Sequence, residues 1–431
     1  MSSANPVVPR APWWQGFVGG LQKMGRSLQL PIAVLPAAGI LNRLGQDDIH
    51  TKWHFPEKLV MVFGGAGGAL LNGSLGLPLL FAVGVAIGMA KKADGSTALA
   101  AVAGFLVYYN ILQTFAMCTA PAVLKNGSCL TGPKNGPYTV AAPVIQNPGV
   151  FGGIVIGLLS AWFWQRFHRV KLVDWLGFFN GRRLVPIIMS GVAVVFAVLC
   201  LWVWPPIGRG LDSFANGLTG MGSYGAGIFG VANRALLTVG MHQFLNVFFW
   251  FQYGNYTKPD GTVVQGDIPR FLAGDPTAGQ YTSGFFPIMM FALPAAALAI
   301  AHCAKPSRRK EVTGMMISVG LTSLVTGVTE PIEYSFLYIA PVLYGIHAVL
   351  TGVSMAVTWG LGVHDGFSFS AGLIDYVINW GLATKPWMII PIGLVFAAVY
   401  YALFRFVITR FNLKTPGRED DAEELEVENV R

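Results

Sequence analysis

Long runs of apolar residues, separated by short polar punctuation, make up most of this chain. The clearest cover Leu28–Leu44, Leu75–Ala90, Leu99–Ala116, Val150–Phe167, Leu184–Trp204, Phe285–Ala301 and Pro386–Phe411. Crossing a bilayer as a helix takes about 20 such residues, so these runs read as spans. Further runs near Gly225–Phe251, Val312–Val325 and Pro341–Val363 are broken by glycine, proline or polar groups. About eight to ten spans are expected on this basis. They read as helices, because the ten-residue alternation of a membrane barrel is missing. The predicted fold class is therefore an all-α polytopic membrane protein, with broken or re-entrant segments in its C-terminal half.

The pattern divides the chain. Residues 1–12 are polar and proline-rich, without the compact apolar core of a cleavable signal. Trp13 to Lys23 reads as an interfacial helix closing an N-terminal segment, 1–27. Residues 28–205 carry mostly clean spans and read as scaffold and dimer surface. Pro205-Pro206 and the glycines to Gly227 mark the expected joint. Residues 206–411 interleave apolar runs with polar insertions, the longest from Gly254 to Ser283 with Asp267, Arg270, Asp275 and Thr277. Irregular backbone at membrane depth survives only where protein buries it or where it lines a cavity, so this half is the expected home of a polar substrate. Residues 412–431 lack apolar content and read as a disordered cytoplasmic tail.

Composition agrees. Hydrophobic residues are 53% and charged residues 12%, with mean hydropathy +0.54, against roughly 25% charged in soluble domains. The net charge of +8 does not point to nucleic acid. Basic residues cluster at span ends, at Lys91-Lys92, Arg166 to Lys171, Arg182-Arg183, Lys305 to Lys310 and Arg405 to Arg418, as the positive-inside rule requires. Of four cysteines, Cys200 and Cys303 sit in or at the end of apolar runs. Cys118 and Cys129 bracket a polar loop; on the outer face a disulfide between them is permitted, and bridged and free forms both remain open. No Cys-x-x-Cys or His-rich metal spacing is present, and no phosphate-loop or Gly-x-Gly-x-x-Gly fingerprint. No metal or cofactor is expected, and energy for transport must come from elsewhere.

Three segments carry candidate chemistry. In Gly327-Val-Thr-Glu-Pro-Ile-Glu333, Glu330 and Glu333 flank a proline inside an apolar region. A carboxylate at membrane depth is costly and marks a substrate path or a partner. Gly327 suits the end of one helix, and Pro331 the first turn of the next. A broken helix is predicted, with free amides and a positive dipole end at residue 330. Glu330 there can accept hydrogen bonds from sugar hydroxyls and take the proton of one that turns nucleophile. The competing reading is a cap, with Glu333 returning to backbone amides; it is disfavoured for Glu330 and level for Glu333. In the second segment, His242 and Asn246 share a helical face at i, i+4, and Arg234 lies two turns earlier, close enough to join a polar stripe. A lone histidine would more often be structural; the neighbouring arginine shifts the balance to function. The third segment, Gly362 to Gly372, alternates His364, Ser368 and Ser370 with phenylalanines. Rings can pack on a sugar face while hydroxyls bond its rim, although a tight turn between spans explains the segment equally well. Asp365 is free to pair with Arg234 or a lysine.

At these segments the chain resembles the membrane C component of the bacterial phosphoenolpyruvate-dependent sugar phosphotransferase system, in its glucose/N-acetylglucosamine family. The resemblance runs from about Gln22 to Asp420. It rests on GVTEPIEYSFLYIAPVLYGIHAVLTG, supported by LPLLFAVGVAIG, GDIPRFLAGDPTAG and NLKTPGRED. SLQLPIAVLP, SGFFPIMMFALPAAALA and GVHDGFSFSAGLIDY are similar to the N-acetylglucosamine branch. Glucose permeases tend to have a double histidine at His242-Gln243 and Arg-Asp-Gly-Thr at His364 to Phe367; Asp365 departs from the alanine of the N-acetylglucosamine branch.

The resemblance implies a ten-span homodimer in the bacterial cell membrane. Its N-terminal half would form the dimer interface and its C-terminal half would move the sugar. Glu330 would bind near the sugar's 6-hydroxyl with Thr329 beside it, and His242 and Arg234 would line the same site; Asn246, His364 and Ser368 complete the candidate set. Family members take phosphate from a phosphocysteine on a B domain, and no Cys-Ile-Thr-Arg-Leu-Arg type donor occurs here, so a separate B protein is expected as partner. The expected function is import of N-acetylglucosamine with presentation of its 6-hydroxyl for phosphorylation. The alternatives are a glucose permease of the same system, an ion-coupled sugar transporter, and a sensor that binds sugar without moving it.

Overall fold

The computed structural model describes residues 19–20, 23–25, 27–28, 30–31, 33–71, 75–115, 123–125, 128–131, 139–141, 147–258 and 263–418. The expected interfacial helix lies mostly outside them, as do Cys118 and the acidic tail. The helical, polytopic class holds. Among the described residues five helices are long and apolar enough to cross a membrane, or six if Glu57–Leu71 and Gly76–Met89, bent by 49°, form one span. About ten were expected. The shortfall reflects how the other apolar segments fold. Pro287–Cys303 is shorter than a full span and opens with a π-helical turn, Pro287–Ala292. The apolar run from Leu28 contains a turn at 33–34 before α1 (Leu35–Leu44).

After α1 come α2 (Asp47–Trp53), α3 (Glu57–Leu71), α4 (Gly76–Met89) and α5 (Gly95–Thr114). The sequence reading gave no span to α3, whose apolar run is diluted by Gly64, Gly65, Gly67 and Gly68. Asp94 caps α5: its carboxylate accepts from the Ser96 amide and Thr97 accepts from the Asp94 amide. A small antiparallel sheet, β1 (Val123–Lys125), β2 (Ser128–Thr131) and β3 (Thr139–Ala141), precedes α6 (Val150–Phe167). It occupies the loop where the Cys118–Cys129 bridge was considered.

The next helix departs from expectation. α7 runs unbroken from Leu184 to Gly220, through Pro205 and Pro206. At ~1.5 Å per residue its 37 residues reach about 55 Å, well beyond a ~30 Å hydrocarbon core. The prolines of the expected joint are therefore no break; the chain turns at its glycine-rich end, at Gly222, where φ is +56°.

The C-terminal half contains α8 (Ser223–Leu237), α9 (His242–Phe251), a β4–β5 hairpin (Asn255–Thr257, Val263–Gln265), α10 (Asp267–Leu272), α11 (Leu293–Cys303), α12 (Arg309–Thr326), α13 (Glu330–Leu337), α14 (Pro341–Gly360), α15 (Leu373–Asn379) and α16 (Ile389–Arg410). One large apolar core joins them, from Ala215 to Ile408, while a second gathers α4 to α7 between Ala82 and Cys200. α8 lies against α14 so closely that a Cβ on Gly230 would stand 3.0 Å from the Gly352 Cα. Small residues permit this approach, and it sets the far end of α8, with Arg234, against the middle of the bundle.

The polar stretch 254–283 is built around buried acids. Asp267 accepts from the amides of Gly279 (2.8 Å) and Tyr281 (2.9 Å), and Asp275 pairs with Arg270 at 2.7 Å. Asp375, at the start of α15, holds the 362–372 loop by accepting from the amides of Ser368 (2.6 Å) and Ser370 (3.3 Å). These carboxylates do for irregular backbone what helix ladders do elsewhere.

Candidate functional site

The α12–α13 connection takes the predicted form. α12 ends at Gly327 in the left-handed conformation, φ +74°, and α13 starts at Glu330 with Pro331 in its first turn. A Cβ on Gly327 would meet Ser370 Oγ at 2.6 Å and the Ala371 amide nitrogen at 2.9 Å, so the break and the 362–372 loop are fitted to each other. Gly327→Ala should therefore cost more than the ~1–2 kcal/mol of a left-handed non-glycine residue alone. A melting temperature in detergent checks it; an unchanged midpoint would mean the fit is loose.

The α8–α9 connection breaks as well. The sequence reading placed Arg234, His242 and Asn246 on one helical face; instead the helix stops at Leu237 and restarts at His242, around Gly240 with φ +75°. His242 and Asn246 keep their shared face on α9, and Arg234 comes to them from the end of α8.

Both breaks open on one cavity of about 100 Å³. Glu330, Thr329, His242, Asn246, Arg234 and Ser368 all line it. Its other polar walls are Asn233, Gln243 and Ser370, and its apolar walls include Trp250, Phe251 and Phe369. Glu330 stands beside the first amides of α13, its own and that of Thr329. Several buried polar atoms at the site lack a protein partner: Arg234 Nε, His242 Nδ1 and Ser368 Oγ. Unpaired polar atoms in a buried place are costly, and around a cavity they are what a ligand rich in hydroxyls would satisfy. Typical small-molecule sites enclose roughly 300–1,000 Å³, so the cavity has a smaller volume than such sites usually do.

His364 is the member of the predicted set that lies elsewhere. Its ring stacks on Trp359 at 4.2 Å and its Nδ1 lies 2.8 Å from the Pro276 carbonyl oxygen. It pins the loop's outer end while Ser368 reaches the cavity. Asp365 pairs with neither Arg234 nor a lysine; it is fully buried and accepts from the Gly366 amide.

Glu333 takes the partner that an intramembrane carboxylate was expected to need, and departs from the cap reading. It does not cap the helix. Its Oε1 accepts from Arg234 Nη1 at 2.6 Å and lies 3.2 Å from His347 Nε2. His347 Nδ1 faces the Tyr400 hydroxyl at 3.0 Å, and the Tyr344 hydroxyl donates to the Arg234 carbonyl at 2.6 Å. The Arg234 guanidinium also lies over Phe285, 5.0 Å from the ring centre. Sequence reasoning missed His347, Tyr344 and Tyr400. A signal existed for the first: His347 is an ionisable residue isolated within the apolar Pro341–Val363 run, 14 residues beyond Glu333.

Residues 25–352 match the family described as phosphotransferase system, EIIC. The chain is 62% identical over 428 residues to the N-acetylglucosamine-specific EIIC component of Streptomyces coelicolor, with 98% of each chain covered. It is 43% identical over 417 residues to the N-acetylglucosamine-specific EIICBA component of Escherichia coli, covering 96% of this chain and 58% of that one. Among solved structures it is similar in fold to the transporter ChbC, the IIC component from the N,N'-diacetylchitobiose-specific phosphotransferase system, with TM-score 0.52 and 14% identity over 92% of this chain and 94% of the other.

Proposed function

The chain belongs to the phosphotransferase system EIIC family, and from that premise we propose that it is the N-acetylglucosamine permease of such a system. It is a multi-pass membrane protein that admits the sugar and presents its 6-hydroxyl to a phosphorylated B component. The glucose reading is less well supported, since the relative with the highest identity quoted above is named for N-acetylglucosamine. The observation that carries the sugar site is the cavity's chemistry: a carboxylate residue, Glu330, shares its lining with His242, Ser368 and Arg234, each of which has a buried polar atom without a protein partner, and with apolar walls.

In this reading Glu330 accepts the 6-hydroxyl hydrogen and takes its proton as phosphate arrives. His242, Asn246, Thr329 and Ser368 bond the remaining hydroxyls, and Trp250 or Phe251 packs on the ring face. The phosphoryl group leaves the partner's phosphocysteine for the sugar oxygen, so the thiolate departs as the new ester forms. The permease contributes position and a charge acceptor, which is most of what phosphoryl transfer asks of a protein. We assign the dimer surface to the N-terminal half, the transport role to the C-terminal half, and the tail after Arg418 to the cytoplasmic side, where basic span ends cluster.

The test is uptake into vesicles of labelled N-acetylglucosamine, with unlabelled glucose in competition, with and without the phosphate-relay proteins. The expected product is internal sugar 6-phosphate, formed only with the relay and weakly displaced by glucose. Accumulation of unmodified sugar that collapses with the proton or sodium gradient would establish an ion-coupled transporter instead, and binding without flux a sensor.

A further inference from the structure

Gln243 lines the cavity and bridges two residues of the site. Its Nε2 lies 2.9 Å from His242 Nε2, and its Oε1 accepts from Asn246 Nδ2 at 3.3 Å. Asn246 Oδ1 in turn accepts from Asn233 Nδ2 at 2.5 Å. A carboxamide donates only through nitrogen and accepts only through oxygen, so the direction of each link dictates the next. Asn233 donates to Asn246, Asn246 donates to Gln243, and Gln243 is left with its nitrogen toward the imidazole. That nitrogen has no lone pair to offer, so His242 Nε2 must accept. The single ring proton then belongs on Nδ1, the atom that is buried with no protein partner. With Gln243 oriented this way an imidazolium is disfavoured, since it would set N–H against N–H across 2.9 Å.

We propose that Gln243 is a positioning residue which, as the last link of the Asn233–Asn246–Gln243 chain, holds His242 as the neutral Nδ1–H tautomer. Resting on the sugar site proposed above, this divides the work: His242 donates a hydrogen bond to a substrate oxygen, and Glu330 is the one of the two left to accept. The tautomer of a histidine is set by the bond its other nitrogen makes, and here that bond comes from an amide that is itself oriented two residues deep.

The test is nitrogen NMR of the full-length protein labelled at histidine, with the His242 signals identified by their loss in His242→Asn. The wild type should show protonated Nδ1 and unprotonated Nε2. Gln243→Glu, nearly isosteric but accepting only, should move the proton to Nε2 or add a second one. The same variant should raise KM for the sugar by about tenfold, the worth of one lost hydrogen bond, while kcat changes less; Gln243→Asn should fall between. A wild-type spectrum with the proton on Nε2 overturns the relay even if transport is intact, and needs only the His242→Asn variant that identifies the signals. The expected tautomer together with an unchanged KM in Gln243→Glu overturns the donor role of His242. The expected tautomer in a wild type that binds no sugar sinks the sugar-site reading and leaves the relay standing.

Discussion

A Glu330→Gln permease is expected to insert, fold and bind its B component, yet to phosphorylate sugar about 10²–10⁴-fold more slowly, the usual worth of a general base. The argument is local. Glu330 is placed by a glycine-ended helix on one side and a proline-started helix on the other, so its backbone does not depend on its charge. Glutamine keeps the side chain's length but puts an amide where a lone pair should meet the 6-hydroxyl. One oxygen remains to accept, so binding should weaken by much less than turnover. The measurement is sugar phosphate formed per minute with purified relay proteins, beside equilibrium binding of the labelled sugar. Turnover at the wild-type rate would remove Glu330 from the chemistry. An equal loss in binding and turnover would make it a binding group and not a base.

The parts of this molecule that could be read from its residues are those fixed by local rules. Gly327 and Pro331 have narrow backbone preferences, and the helix break appeared between them as expected. Long apolar runs such as Val150–Phe167 fold as predicted because in lipid a helix is the only way to satisfy an isolated backbone. What was illegible depends on partners distant in sequence. Glu333 looked as much like a cap as a charge, because its true partners, Arg234 and His347, come from α8 and α14. Pro205-Pro206 looked like a joint, yet α7 continues through the pair. Arg234, His242 and Asn246 were rightly grouped and wrongly placed on one helix: Gly240 breaks it, and the three meet at the cavity by folding and not by periodicity. His364 and Ser368 look alike in the sequence as polar residues among phenylalanines; the stacking of His364 on Trp359 and the grip of Asp375 on the Ser368 amide send them to opposite ends of the loop.

The second large effect concerns the Arg234–Glu333 pair, which is almost fully buried at 5% and 0% side-chain exposure. Glu333→Gln should destabilise the protein by about 3–5 kcal/mol, the cost of leaving one buried charge without its partner. Removing both charges, in Arg234→Met with Glu333→Gln, should restore most of that loss, because an apolar or neutral pair of similar volume is often as stable as the ion pair it replaces. Melting midpoints of the two variants and of Arg234→Met alone give the comparison, as a double-mutant cycle. Transport separates the two roles of the arginine. If Arg234 serves only to neutralise Glu333, the double variant should regain uptake along with stability. Arg234, however, lines the cavity and its Nε is unpartnered, while the residue is already anchored by Glu333, Phe285 and, through the backbone, Tyr344. An arginine held this firmly on one side offers its remaining donors to a ligand at little entropic cost. The double variant is therefore expected to be stable and inactive, and a stable variant that transports normally would confine Arg234 to the fold.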